Sequence, residues 1–117
     1  MQAAINAVHA SAATFAETDW PQVVLLYDAL MRIAPSPVVA LNRAVAVAET
    51  GEVERAWRQL EGLELRHYAP YHAVCGYVLA LRGKVTEARA SYEEAIVRTD
   101  NDAEREALRR RRDALAR

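Results

Sequence analysis

The sequence predicts an all-α fold: a right-handed solenoid of helical hairpins with about seven helices and no strand. Three observations carry this. The stretch from Tyr71 to Asn101 reads as two antiparallel helices, about Pro70–Arg82 and Lys84–Arg98, joined at Gly83. Small residues (Gly76, Ala88, Ala95) fall where the two would touch, and Leu79, Tyr92 and Ile96 fill the gaps between them. The pattern also repeats: Gly51 and Gly83 are 32 positions apart, as are Ala56 and Ala88. Finally, apolar residues recur at spacings of three and four along most of the chain, the period of a helix that buries one face.

The elements follow in order. Gln2–Ala13 places Ile5, Val8 and Ala12 on one face and reads as a helix. Phe15 follows, and Thr18 or Asp19 is suited to cap the next helix. Trp20-Pro21 opens that helix, because proline lacks only an N–H that has no intrahelical partner in the first turn. Val23, Val24, Tyr27, Leu30 and Met31 form its stripe, and Pro35-Ser36-Pro37 ends it, since a residue before proline avoids the α region. The valines of Val38–Thr50 would suit a strand, but Leu41, Ala44, Val45 and Ala48 fit helical spacing and no partner strand flanks them. Gly51 is expected to end this helix in the left-handed region, which costs other residues about 1–2 kcal/mol. Glu52–Leu60 turns Val53, Ala56, Trp57 and Leu60 inward, and Gly62 closes it. Leu63–Ala69 is an irregular linker or a short helical turn. After the Tyr71–Asn101 hairpin, Asn101 caps a last helix, Asp102–Ala116, with Glu104 at capping-box spacing. Its few apolar residues (Ala103, Ala107, Leu108, Ala114, Leu115) suit a terminal helix whose outer face is polar.

Bulk properties bound the function. A length of 117 residues is that of one domain, residues 1–117. A net charge of −1 provides no basic field to hold nucleic acid or an anionic membrane. No apolar run of about 18 residues spans a bilayer, and the first residues lack the positive start of a signal peptide. The single cysteine, Cys75, excludes an internal disulfide framework and suits a reducing cytoplasm.

Motifs for chemistry are sparse. Glu64-x-x-His67 has the spacing used in di-iron bundles, but further carboxylates on the same core are missing; Glu17, Glu49 and Glu52 fall near turns. His67 and His72 straddle Pro70, and His9 stands alone. Cys75, three residues from His72, sits among apolar neighbours and reads as a buried structural thiol. No phosphate-binding loop, dinucleotide fingerprint or nucleophile elbow exists. The sequence therefore predicts no catalytic site, no metal and no cofactor. The run Arg109-Arg110-Arg111-Arg112 spreads around a helix. It reads as a solvated face with an Arg109–Glu106 pair, or as a contact to phosphate or an acidic partner. Asn42-Arg43 is polar within an apolar helix. Arg43 either ties back to Asp28 as a strut or points with Asn42 into the concave groove. Tyr71, His72 and Tyr77 would continue that groove, aromatic bodies with polar tips being common at interfaces. Asn42, Arg43, Tyr71, His72 and Tyr77 are thus the candidate partner-binding residues.

The repeat interval lies close to the tetratricopeptide period of about 34. The strings QAAINAVHA, DWPQVVLLYDAL, PSPVVALNRAVAVAE, YHAVCGYVLALRG and EARASYEEAI resemble, over nearly the whole chain, a known bacterial pattern. It is the TPR-like C-terminal extension of a subgroup of extracytoplasmic-function (ECF) RNA polymerase sigma factors. The chain departs from that pattern near Cys75 and Tyr77, where such factors carry an arginine and an acidic residue. The resemblance implies a fragment of a longer sigma factor, without its DNA-reading parts. It further implies a non-catalytic, cytoplasmic module that tunes transcription initiation. Its implied partners are proteins: sigma regions two and four in cis, the polymerase core, or a DGPF/YCII-like protein. It implies no direct DNA or membrane contact. A free-standing scaffold that assembles other proteins or forms a homodimer is the alternative.

Overall fold

The computed structural model describes residues 18–115, which form six α-helices and no strand. They are α1 (Trp20–Ile33), α2 (Pro37–Glu49), α3 (Val53–Glu61), α4 (Ala69–Leu81), α5 (Val85–Arg98) and α6 (Asp102–Ala114). The helix expected over Gln2–Ala13 lies outside the described residues, as do His9, Phe15 and Glu17. Each helix packs mainly on its neighbours in sequence, and α2 also reaches α4. This is the connectivity of stacked hairpins, α2–α3 then α4–α5, with α1 before them and α6 after.

The helix ends follow local chemistry. Asp19 caps α1, its side chain accepting the Gln22 N–H at 3.2 Å. α2 begins one residue earlier than the sequence suggests because Ser36 is its cap: Ser36 Oγ accepts the Val38 N–H at 3.2 Å, and Pro37 occupies the first turn. Ser36 thus starts one helix while Pro35 ends another. At the hairpin turns Gly51 has φ +97° and Gly83 φ +78°, so the interval of 32 marks equivalent positions. After Gly83 the Lys84 N–H returns to the Leu79 carbonyl at 2.9 Å, closing the last turn of α4.

α2 is buried almost all round, through Ala40, Leu41, Ala44, Ala46, Val47 and Ala48. Trp20, Val23, Tyr27 and Leu30 of α1 cover Ala46 on one side. On the other, Ala56 and Leu60 of α3 and Cys75 and Val78 of α4 join Leu41, Ala44, Val47 and Ala48 in the main core. Its valines are therefore those of a central helix. Arg82, at the end of α4, binds Glu54 of α3 at 2.9 Å and lies over the Trp57 ring at 5.2 Å.

The most extensive packing is α4 on α5. Leu79, Ala88, Tyr92 and Ala95 are buried there, and Ile96 is half-buried. Gly76 faces the Tyr92 ring, so that a Cβ at position 76 would sit 3.0 Å from three ring carbons. α6 joins the stack through one polar loop. Thr99, the buried polar residue of the described chain, donates from Oγ1 to Glu104 at 3.0 Å and accepts the Asn101 N–H at 3.3 Å. Asn101 in turn accepts the Glu104 N–H at 2.9 Å, the N-cap half of the expected capping box; the reciprocal half is replaced, because Thr99 Oγ1 stands between the Asn101 N–H and the Glu104 carboxylate. Arg105 donates to the Thr99 carbonyl at 2.7 Å, closing the free end of α5.

Gly76→Ala should therefore lower unfolding free energy by up to about 2 kcal/mol, overpacking against the buried Tyr92 ring (about 1–3 kcal/mol) outweighing the roughly 1 kcal/mol gained by removing a mid-helix glycine. Gly83→Ala should lower it by about 1 kcal/mol, through left-handed strain alone. Urea unfolding checks both as midpoint shifts at unchanged slope; equal midpoints for Gly76→Ala and wild type would contradict the close approach.

Candidate docking groove

Two clefts meet on the side of the stack formed by α2, α4 and α6. The larger, of about 560 Å³, is walled by Val45 of α2, Ala73, Val74 and Tyr77 of α4, Tyr92 of α5, and Arg111 and Ala114 of α6. The smaller, of about 250 Å³, lies between Ala69, Pro70 and Ala73 on α4 and Glu104, Ala107, Leu108 and Arg111 on α6, with Thr99 at its edge. Ala73 and Arg111 border both, so the two form one groove along the α4–α6 seam.

Most polar groups in this wall already have partners. The Tyr77 hydroxyl donates to the Glu49 carboxylate across the α2–α4 contact. Burial pushes the Glu49 carboxyl above its ordinary value despite that donor. Burial likewise raises the Tyr92 phenol, and the positive charge of Arg111 pulls it part of the way back. Glu104 holds the Thr99 hydroxyl. The groove thus offers apolar area, the Glu104 carboxylate at one end and the Arg111 guanidinium where the two clefts meet.

The residues singled out from the sequence divide. Tyr77 stands in the groove wall. Asn42 is half-buried and, three residues before Val45 and seven before Glu49, shares their face of α2. Arg43 is turned the other way: its guanidinium meets Asp28 of α1 at 3.5 Å, while its Nε is buried without a hydrogen-bond partner. Tyr71 donates its hydroxyl to the Leu60 carbonyl at 3.3 Å and packs on the main core. His72 lies edge-on to the Tyr71 ring and places Nε2 2.8 Å from the Arg66 carbonyl of the linker. The last three tie α2 to α1, α4 to α3 and α4 to the linker. Sequence reading missed Val45, Ala73, Tyr92 and Arg111 as wall residues. For α6 the signal was present: Glu104, Ala107, Leu108, Arg111 and Ala114 recur at spacings of three and four.

Burial raises the Cys75 thiol to about 11, which keeps it protonated at neutral pH. Glu64 and His67 are exposed beside a separate polar cleft at the linker. Among the described residues no three His, Cys, Asp or Glu side chains come together to hold a metal ion. No described helix is long and apolar enough to cross a membrane.

A seam of alternating helices backed by their hairpin partners defines a helical repeat domain, a class that typically mediates protein–protein contact. The chain belongs to the tetratricopeptide repeat-like domain family, whose model matches residues 1–117. It is 43% identical over 118 residues to an uncharacterized protein of Rhizobium meliloti (strain 1021). The match covers 99% of this chain and 28% of that relative, so the chain spans little more than a quarter of the relative's length. No solved structure matches it.

Arg43→Ala should destabilise the fold by about 1 kcal/mol, the scale of a part-exposed ion pair with a packed stem. Arg43→Met should recover the share owed to the stem; a thermal melt unchanged by either substitution would remove the strut.

Glu49 sets a pH dependence. Its folded-state pKa is raised, so its contribution to stability is complete below the ordinary carboxylate range and is lost as pH rises through the folded value. Glu49→Gln keeps an acceptor for Tyr77 and removes the titration. Its stability relative to wild type should therefore rise between about pH 4 and pH 7. Parallel urea midpoints for the two proteins across that range would contradict the assignment.

Proposed function

We propose that this chain is a non-catalytic protein-interaction module that regulates an ECF sigma factor in bacterial transcription initiation, working in the cytoplasm as one domain of a longer chain. Its groove holds a helix or an extended segment. The segment comes from sigma regions two or four in cis, from the polymerase core, or from a DGPF/YCII-like protein; the module itself makes no DNA contact. Tyr77 and Asn42 meet the segment, while Arg43, Tyr71 and His72 fix the helices that shape the wall.

The observation that carries this reading is the continuity of the apolar groove at Ala73 and Arg111. The resemblance of PSPVVALNRAVAVAE and YHAVCGYVLALRG to sigma-factor extensions supports the transcriptional assignment. The length of the Rhizobium relative beyond the match is consistent with a module fused to other domains. A free-standing scaffold or homodimer is the second reading, favoured by Leu25, Leu26 and Ile33, which are exposed on α1.

Ala73→Arg fills the groove at the point shared by its two halves without removing a core contact. Wild type should retain the polymerase core or a separated sigma region in a pull-down, and Ala73→Arg should lose it while keeping its circular dichroism spectrum. Retention of no bait, or equal retention by both proteins, would overturn the reading.

A further inference from the structure

The geometry points to a more specific ligand for this groove: a peptide segment that presents an internal Asp or Glu side chain to Arg111, with apolar side chains on either side seated in the two clefts. This rests on the groove reading above and adds the chemistry of the partner.

Four consecutive arginines end α6, and only Arg111 borders the groove. At about 100° per residue its neighbours point elsewhere. Arg109 pairs with Glu106 at 3.8 Å and Arg112 with Asp113 at 3.1 Å. Among the described residues no carboxylate lies within ion-pair distance of Arg111, which borders both clefts. A guanidinium carries five N–H donors and matches a carboxylate through two parallel bonds. The other polar groups of the wall are occupied within the protein: the Tyr77 hydroxyl by Glu49 and Glu104 by Thr99. The groove therefore carries two charges: Glu104, already accepting from Thr99 at one end, and Arg111, which stands where the two clefts meet and has no carboxylate partner among the described residues.

The position of Arg111 selects an internal acidic residue over a chain end. The groove continues past it in both directions, toward Val45 and Tyr77 on one side and toward Pro70 and Leu108 on the other. A terminal carboxylate bound there would leave one cleft unfilled. A side chain branching from a segment that runs through leaves both available.

Nuclear magnetic resonance titration of the 117-residue chain tests this with nine-residue peptides, acetylated and amidated. Each carries a central Glu or Gln flanked by leucine and alanine. The Glu peptide should bind about tenfold more tightly than the Gln peptide, the scale of a charge-assisted pair. In Arg111→Gln, an exposed substitution, the ratio should fall to about one; in Arg110→Gln, which removes the same charge off the groove, it should persist. Equal binding of both peptides by wild type, abolished by Ala73→Arg, would overturn the role of Arg111 and leave the groove reading intact. Preference for a Gln peptide with a free C-terminal carboxylate would overturn the internal acidic residue. Binding of no peptide would overturn both.

Discussion

The contact on which the rest depends is the close approach of α4 and α5 at Gly76. With no side chain at that position, the Tyr92 ring lies flat against the α4 backbone. Tyr92 also lines the groove, beside Arg111. The glycine therefore also places the deepest aromatic residue of the wall. A larger residue would shift the ring by a few tenths of an ångström and move both the hairpin contact and the floor of the groove, because packed interiors transmit strain instead of absorbing it.

Between hairpins and at the two ends of the stack, apolar packing is combined with a directed polar contact. Asp28–Arg43 joins α1 to α2; Leu60–Tyr71 and Glu54–Arg82 join α3 to α4; Glu49–Tyr77 joins α2 to α4; Thr99–Glu104 and Thr99–Arg105 join α5 to α6. The part-exposed pairs contribute little free energy. Their effect is on register: an apolar face tolerates a helix sliding by a turn, and a carbonyl or carboxylate at a fixed height does not. This matters in a stack where each hairpin is positioned only by its neighbours.

The fold was legible because its signals are local. The glycine interval, the apolar spacing, Asp19 and Asn101 as caps and the polar outer face of α6 are properties of single helices or turns, and all appear as read. Ser36 was harder, since two prolines mark a break without saying which residue starts the next helix. The groove was less legible because a wall is assembled from different helices. Arg43 and Val45 lie two residues apart and so face away from each other, a distinction that requires knowing which neighbour covers which side of α2. Tyr71 and Tyr77 look alike as aromatics with polar tips, yet the Leu60 carbonyl and Glu49 carboxylate that receive their hydroxyls are 11 and 28 residues away. Arg111 was hidden in a run whose members are distinguishable only by the face that Ala107 and Leu108 define.

The energetics of the groove favour, among the partners proposed above, one in cis. A net charge of −1 gives little long-range attraction, so encounter is unsteered. The two clefts accommodate a few apolar side chains, each worth about 1.5–3 kcal/mol on full burial. Against this stand about 0.5–1.5 kcal/mol for each side chain ordered and several kcal/mol of lost translational and rotational freedom. The balance for a free segment is modest. A segment on the same polypeptide, by contrast, faces its site at a local concentration on the order of millimolar when the linker length suits the span. For the cis segment proposed above, a shallow apolar groove is then sufficient.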